Sequence, residues 1–173
     1  MKSTVNRHMT TLSLIFVLLL SLSHILVAAD DSPTVSLDVA KATPRTVESL
    51  TERAILRDYK FAWASLSRAL EANTTSPLNG LFAGTANTSL RQLVTSQRRS
   101  GVTSRYSNQN HKVKASFYAP EGDVIELHDT AEYDLQIFDG SKTLHTEHAV
   151  VHYVVLMTPA ADRWVVRQIQ AVQ

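Results

Sequence analysis

The chain predicts an α+β domain in which one long N-terminal helix and shorter helices pack on a curved, four-stranded antiparallel sheet. Three observations lead there. Apolar residues recur at helical spacing from Val47 to Leu70, they alternate with a period of two through most of 111–172, and a leader-like segment precedes both.

The leader comes first. Lys2, Arg7 and His8 stand before a nearly continuous apolar run from Leu12 to Leu22, and Val27-Ala28-Ala29 gives way to the polar Asp30-Asp31-Ser32. A basic start, a short apolar middle and small residues before a polar break describe a secretory signal peptide over 1–29, cleaved before Asp30. The rival reading is an uncleaved membrane anchor over 10–29, because that stretch is roughly the 20 residues that span a bilayer. The first reading places the protein outside the cytoplasm, periplasmic or secreted. Membrane attachment is expected only on the second.

Residues 30–42 read as a flexible tether, polar and punctuated by Pro33 with no sustained period, and 43–173 as the folded domain. Thr43 reads as a helix cap with Pro44 at the first helical position, where a missing N–H costs nothing. From there Val47, Leu50, Ile55, Tyr59, Ala62, Trp63, Leu66 and Leu70 form the apolar stripe of a helix of about seven turns. Asn73-Thr74-Thr75-Ser76-Pro77 ends it. A short helical turn follows at Leu78 to Phe82, then a helix from Ala86 to Ser100 with Leu90, Leu93 and Val94 inward, stopped by Gly101. Four strands are expected next. The first runs from His111 to Ala119, with Val113, Ala115 and Phe117 on one parity. The second runs from Val124 to Phe138, with Ile125, Leu127, Ala131, Tyr133, Leu135 and Ile137 inward. Asp139-Gly140 signals a hairpin into the third, Thr143 to Met157, and Arg163 to Val172 is the last. Val150 to Met157 is apolar on both parities, so this part of the sheet is expected to be covered twice, once by the long helix and once by a partner.

Composition narrows the function classes. The formal net charge is +1 with both signs interspersed, so no stripe of cations suited to nucleic acid is present. There is no cysteine, which removes disulfides, thiol nucleophiles and thiolate metal sites. No phosphate-binding glycine loop, Gly-x-Ser-x-Gly elbow or His-Glu-x-x-His motif occurs, and no cofactor is expected.

The helix Ala54-Ile55-Leu56-Arg57-Asp58-Tyr59-Lys60-Phe61-Ala62-Trp63, the second helix around Leu90 to Arg99 and Arg105-Tyr106 carry a family resemblance. So do the strand Val150-Val151-His152-Tyr153-Val154-Val155 and the closing Arg163-Trp164-Val165-Val166-Arg167-Gln168-Ile169. Over residues 45–172 the chain resembles the nuclear-transport-factor-2-like (NTF2-like), or cystatin-like, superfamily, most of all its ARC6-like IMS domain group. The superfamily resemblance implies a cone between sheet and long helix that holds an acid or histidine in its enzymes. The IMS resemblance implies a non-catalytic interaction module.

The residue that invites a catalytic reading is Asp129, an acid on the apolar parity between Leu127 and Ala131. A buried carboxylate is costly unless paired, and burial is one way to tune a general base. The opposing reading is a structural carboxylate, turned out by a bulge or matched by an inward histidine. Tyr59, Trp63, His148 and His152 complete the list of pocket candidates. His148 and His152 share one face of their strand, with His145 and Glu147 on the other, so one strand supplies at most two ligands and no metal site is expected. The leading expectation is an exported, non-enzymatic domain that associates through its sheet face, with itself as a homodimer or with another exported protein. The alternative is a small-molecule-binding or isomerase-like protein that takes a small apolar ligand in the cone, with Asp129 as its polar group.

Overall fold

A computed structural model describes residues 32–172, so the leader expected over 1–29 lies outside the described residues. The path is β1 (Thr34–Asp38), β2 (Thr43–Pro44), α1 (Ser49–Glu71), a 3-10 turn (Ser76–Leu78), α2 (Gly84–Arg99), β3 (Val102–Tyr118), β4 (Ile125–Asp139), β5 (Lys142–Pro159) and β6 (Trp164–Val172). The strands form one sheet in the order β1-β3-β4-β5-β6, with β2 also paired to β3. The β3, β4, β5 and β6 neighbours are antiparallel, while β1 and β2 run parallel to β3.

The sheet therefore has six strands where the sequence reading expected four, and the tether expected at 30–42 contains one of the two additions. Strand β1 alternates Val35 and Leu37, which pack on the core, with exposed Thr34, Ser36 and Asp38. Ser36 Oγ also donates to the carbonyl of His111 at 3.3 Å. Two apolar residues are too few to register as a period. Thr43 and Pro44 pair with Phe117 and Tyr118 rather than opening a helix. Proline is tolerated there because an edge strand can spare a donor. The helix starts at Ser49, after an extended Glu48 whose carboxylate is held by Arg45 at 2.6 Å. The first long strand begins at Val102, nine residues before the expected His111, because its polar opening carries no alternation.

Helix α1 buries Ile55, Tyr59, Ala62, Trp63, Leu66, Ala69 and Leu70, one face at spacings of three and four. They meet Ile125 and Leu127 on the inner parity of β4, and the β5 partners Met157 and Val155, in one core. Helix α2 adds Ala86, Leu90 and Val94, whereas Leu93, expected inward, is 47% exposed. Phe117 also departs from expectation: a register slip after Ala115 turns it to the outer face, 40% exposed. Both glycines read as punctuation take positive φ, +72° at Gly101 after α2 and +56° at Gly140 in the β4–β5 turn.

Polar side chains pin the layers together. Asn73 turns left-handed after α1, and its Nδ2 donates to the Val102 carbonyl at 2.7 Å. Gln97 of α2 donates to the Leu70 carbonyl at 2.7 Å and accepts from Ser104 at 2.6 Å, joining α1, α2 and β3. Asp58 is buried on α1. Its Oδ2 accepts the Trp164 N–H at 2.7 Å, and Arg57 clamps both of its oxygens from outside at 2.8 and 3.1 Å. Replacing Asp58 with alanine orphans a buried N–H at the start of β6. Asp58→Ala is expected to lose about 1–3 kcal/mol in urea unfolding without changing the far-ultraviolet circular dichroism of the native state.

Candidate functional site

Strand parity turns Asp129 inward, and two other elements supply its partners. Tyr59 projects from the middle of α1 and donates its hydroxyl to Asp129 Oδ2 at 2.7 Å. His111, on β3, brings its Nδ1 to 2.7 Å from the same oxygen. All three residues are no more than 1% exposed. The other carboxylate oxygen, Asp129 Oδ1, and the far ring nitrogen, His111 Nε2, are buried without a hydrogen-bond partner. Burial, and then the adjacent Asp129 charge, push the Tyr59 hydroxyl well above its ordinary value of 10, so it remains a donor.

Aromatic rings close round this cluster. Trp63 lies against the His111 imidazole, with centroids 4.4 Å apart, and meets Tyr153 at 5.4 Å. Tyr59 stands edge-on to both Trp63 and His111. A second tier follows: the Tyr133 and Tyr153 hydroxyls are 3.3 Å apart, and Tyr106 packs on Tyr133 at 4.9 Å. Burial raises the Tyr106 hydroxyl to about 12 and raises Tyr153 as well. Two crevices touch Tyr59. One, of about 170 Å³, is bounded by Trp63, Leu66, Phe82 and Ile169, and the other, of about 140 Å³, by Leu37, Ile55 and Leu127. Neither has room for a water molecule. The arrangement is an acid–base triad by composition, but aromatic rings occupy the space against it.

Of the pocket candidates, Tyr59, Trp63 and Asp129 come together, and His148 and His152 do not. Both histidines sit on even positions of β5, opposite Asp134 and Thr130, on the face turned away from the helices. Sequence reasoning passed over His111, although it stands two residues before Val113 on that strand's apolar parity. Its partnership with Asp129 could not be read without the β3–β4 register.

The outer face is a second candidate. Across β3, β4, β5 and β6 it presents rows such as Lys114, His128, Val154 and Gln170, then Lys112, Thr130, His152 and Val172. Val150, on β5 just beyond its pairing with β6, is 57% exposed, and Val172 and Phe117 are each 40% exposed. The histidines there are tethered. His128 meets Glu126 at 3.0 Å, His152 meets Thr130 at 3.1 Å, and His148 lies between Asp134 at 2.8 Å and Glu132 at 3.3 Å. Among the described residues no group of three His, Asp or Glu converges to hold a metal, and no helix is long and apolar enough to cross a membrane.

No model of a known family matches the chain, and no curated protein matches its sequence. Solved structures do match. The intermembrane-space region of the chloroplast protein ARC6 is 12% identical, with a TM-score of 0.58, over 75% of this chain and 98% of that one. A proposed dehydratase of the NTF2-like family from Streptomyces avermitilis is 8% identical, with a TM-score of 0.43, over 69% and 96%. The chain has a fold similar to that of the ARC6 region, the group its sequence resembled most.

The Asp134–His148 pair makes a signed prediction. Hydrogen bonding, to Asn108 and His148 for Asp134 and to Asp134 for His148, holds the carboxyl below its ordinary 3.8 and the imidazole above its ordinary 6.5. The raised histidine contributes stability that is complete below 6.5 and is lost as pH rises through its folded value. The lowered aspartate contributes stability that is complete above 3.8 and is lost as pH falls through its folded value. The melting-temperature deficit of His148→Gln relative to wild type is therefore expected to be largest between those two values and to shrink on either side.

Proposed function

We propose that this chain is an exported association domain that performs no chemistry of its own, and that the outer face of its sheet is the contact surface. One observation carries the reading. Val150 stands largely exposed where β5 runs past the end of β6, on a face whose other positions mix valine, leucine, phenylalanine, lysine and histidine. Exposed apolar side chains set among tethered polar ones are a common composition for a protein-binding patch. The packed cone supports the same conclusion from the other side, since a substrate reaching Asp129 would have to displace Trp63 or Tyr153. Export rests on the leader-like segment 1–29, and the partner is a second copy or another exported protein.

A second reading has its own observation, the unpartnered Asp129 Oδ1 and His111 Nε2. Two buried, unsatisfied polar atoms side by side would suit a small polar group on an otherwise apolar ligand, admitted by movement of Trp63.

Two variants separate the readings. Val150→Glu alters an exposed position and is expected to hold stability within about 0.5 kcal/mol while lowering association in sedimentation and native mass spectrometry. Unchanged association would remove the face from consideration. For Asp129→Asn, the association reading expects a lower melting temperature with the assembly intact. Loss of a co-purifying small molecule, seen as missing mass in the native spectrum, would instead establish the cone reading.

A further inference from the structure

Strand β5 is much longer than its neighbour on one side. It runs from Lys142 to Pro159, but β6 pairs with it only from His152 onward. Among the described residues, β5 packs beside β4 and β6 alone, so its edge from Lys142 to Val150 has no strand against it. The corresponding stretch of β3, beginning at Val102, is attended by the helices: Asn73 bonds the Val102 carbonyl and Gln97 bonds Ser104. The bare ladder is therefore on the β5 side. Such an edge is a template for another strand unless charge or irregularity blunts it.

We propose that a second copy of this chain pairs with this edge, β5 to β5 and antiparallel, so that two sheets become one. The argument is charge complementarity under strand parity. In an antiparallel pair, residues directly opposite share a face, so a two-fold axis through the sheet pairs position i with j only when their sum is even. Centring the axis on Thr146 sets His145 of each copy opposite Glu147 of the other, twice, on the same face. Moving the centre to Glu147 opposes two carboxylates, and moving it to His145 opposes two imidazoles. Within one chain the two groups already attract, with His145 Nε2 2.9 Å from Glu147 Oε2. Both side chains are half-exposed and free to exchange that contact for the one across the axis. The docking also covers Leu144, the extra residue where the β4–β5 register slips, which is 49% exposed.

The edge dimer is independent of the outer-face reading, because His145 and Glu147 lie on the parity opposite to Val150. The absence of native cysteine makes disulfide trapping clean. Directly opposed residues have Cα atoms about 4.5–5.5 Å apart, within disulfide reach. Separately tagged H145C and E147C chains, mixed and mildly oxidised, are expected to yield the mixed disulfide in clear excess over either homodimer. T146C alone is expected to give its homodimer. A face-to-face dimer cannot bring His145 and Glu147 together, so cross-linking of V150C without the mixed product would overturn the edge pairing and leave the outer-face reading standing. Absence of the mixed product, or products in statistical proportion, would overturn it as well. In the cysteine-free chain, E147K is expected to weaken dimerisation about tenfold and H145E/E147K to restore it. Failure of that rescue would count against the Thr146 centre.

Discussion

The Asp129 carboxylate lies where three elements meet, and the position of the helix on the sheet depends on it. Tyr59 reaches it from α1 and His111 from β3, while Asp129 itself belongs to β4. A carboxylate this deeply buried is strongly destabilising unless donors are fixed beside it. Because Tyr59 is one of those donors, sliding α1 by a turn would leave the charge short of a partner. The cost is steep and local, so one side chain sets where a 23-residue helix rests. The apolar face of α1 supplies most of the favourable burial, but apolar contacts tolerate small slips that hydrogen-bond geometry does not.

The surrounding rings follow from the same constraint. With Asp129 and His111 held inward, Trp63 packs against the imidazole and Tyr153 against Trp63, and the interior takes flat surfaces where a ligand would need a hollow. One residue before Tyr59, Asp58 ties β6 to the same helix by accepting the first N–H of that strand. Two aspartates on the inner side of the domain thus have structural work although both belong to a residue type that suggests catalysis.

Much of this was legible in the residues. The β4 alternation from Ile125 to Ile137 assigned Asp129 its face, and the helical spacing of Tyr59, Ala62 and Trp63 assigned theirs. What escaped had physical causes. Strand β1 escaped because Val35 and Leu37 are too short a period. Thr43-Pro44 escaped because the same dipeptide suits a helix start and an edge strand equally well. The outward turn of Phe117 came from a register slip, which no alternation count detects. His148 and His152 were correctly paired on one face, but parity within a strand does not say which face is the inner one until neighbouring strands are in register. The His111–Asp129 contact is of the same kind, joining residues 18 positions apart.

The unequal cover of the sheet has a consequence for how the molecule breathes. The half of β4 and β5 near Ile125 and Met157 lies under the helices, and its hydrogen bonds open only when the core opens. Between Lys142 and His148 every residue of β5 is exposed. That hairpin rests on β3 through β4 and on little else, so it can detach at far less than the free energy of global unfolding. The domain is better pictured as a rigid body with a compliant arm than as a uniform cone. The arm carries both the His148 cluster and the bare edge of β5, so whatever grips either one gives up part of its affinity to still that motion.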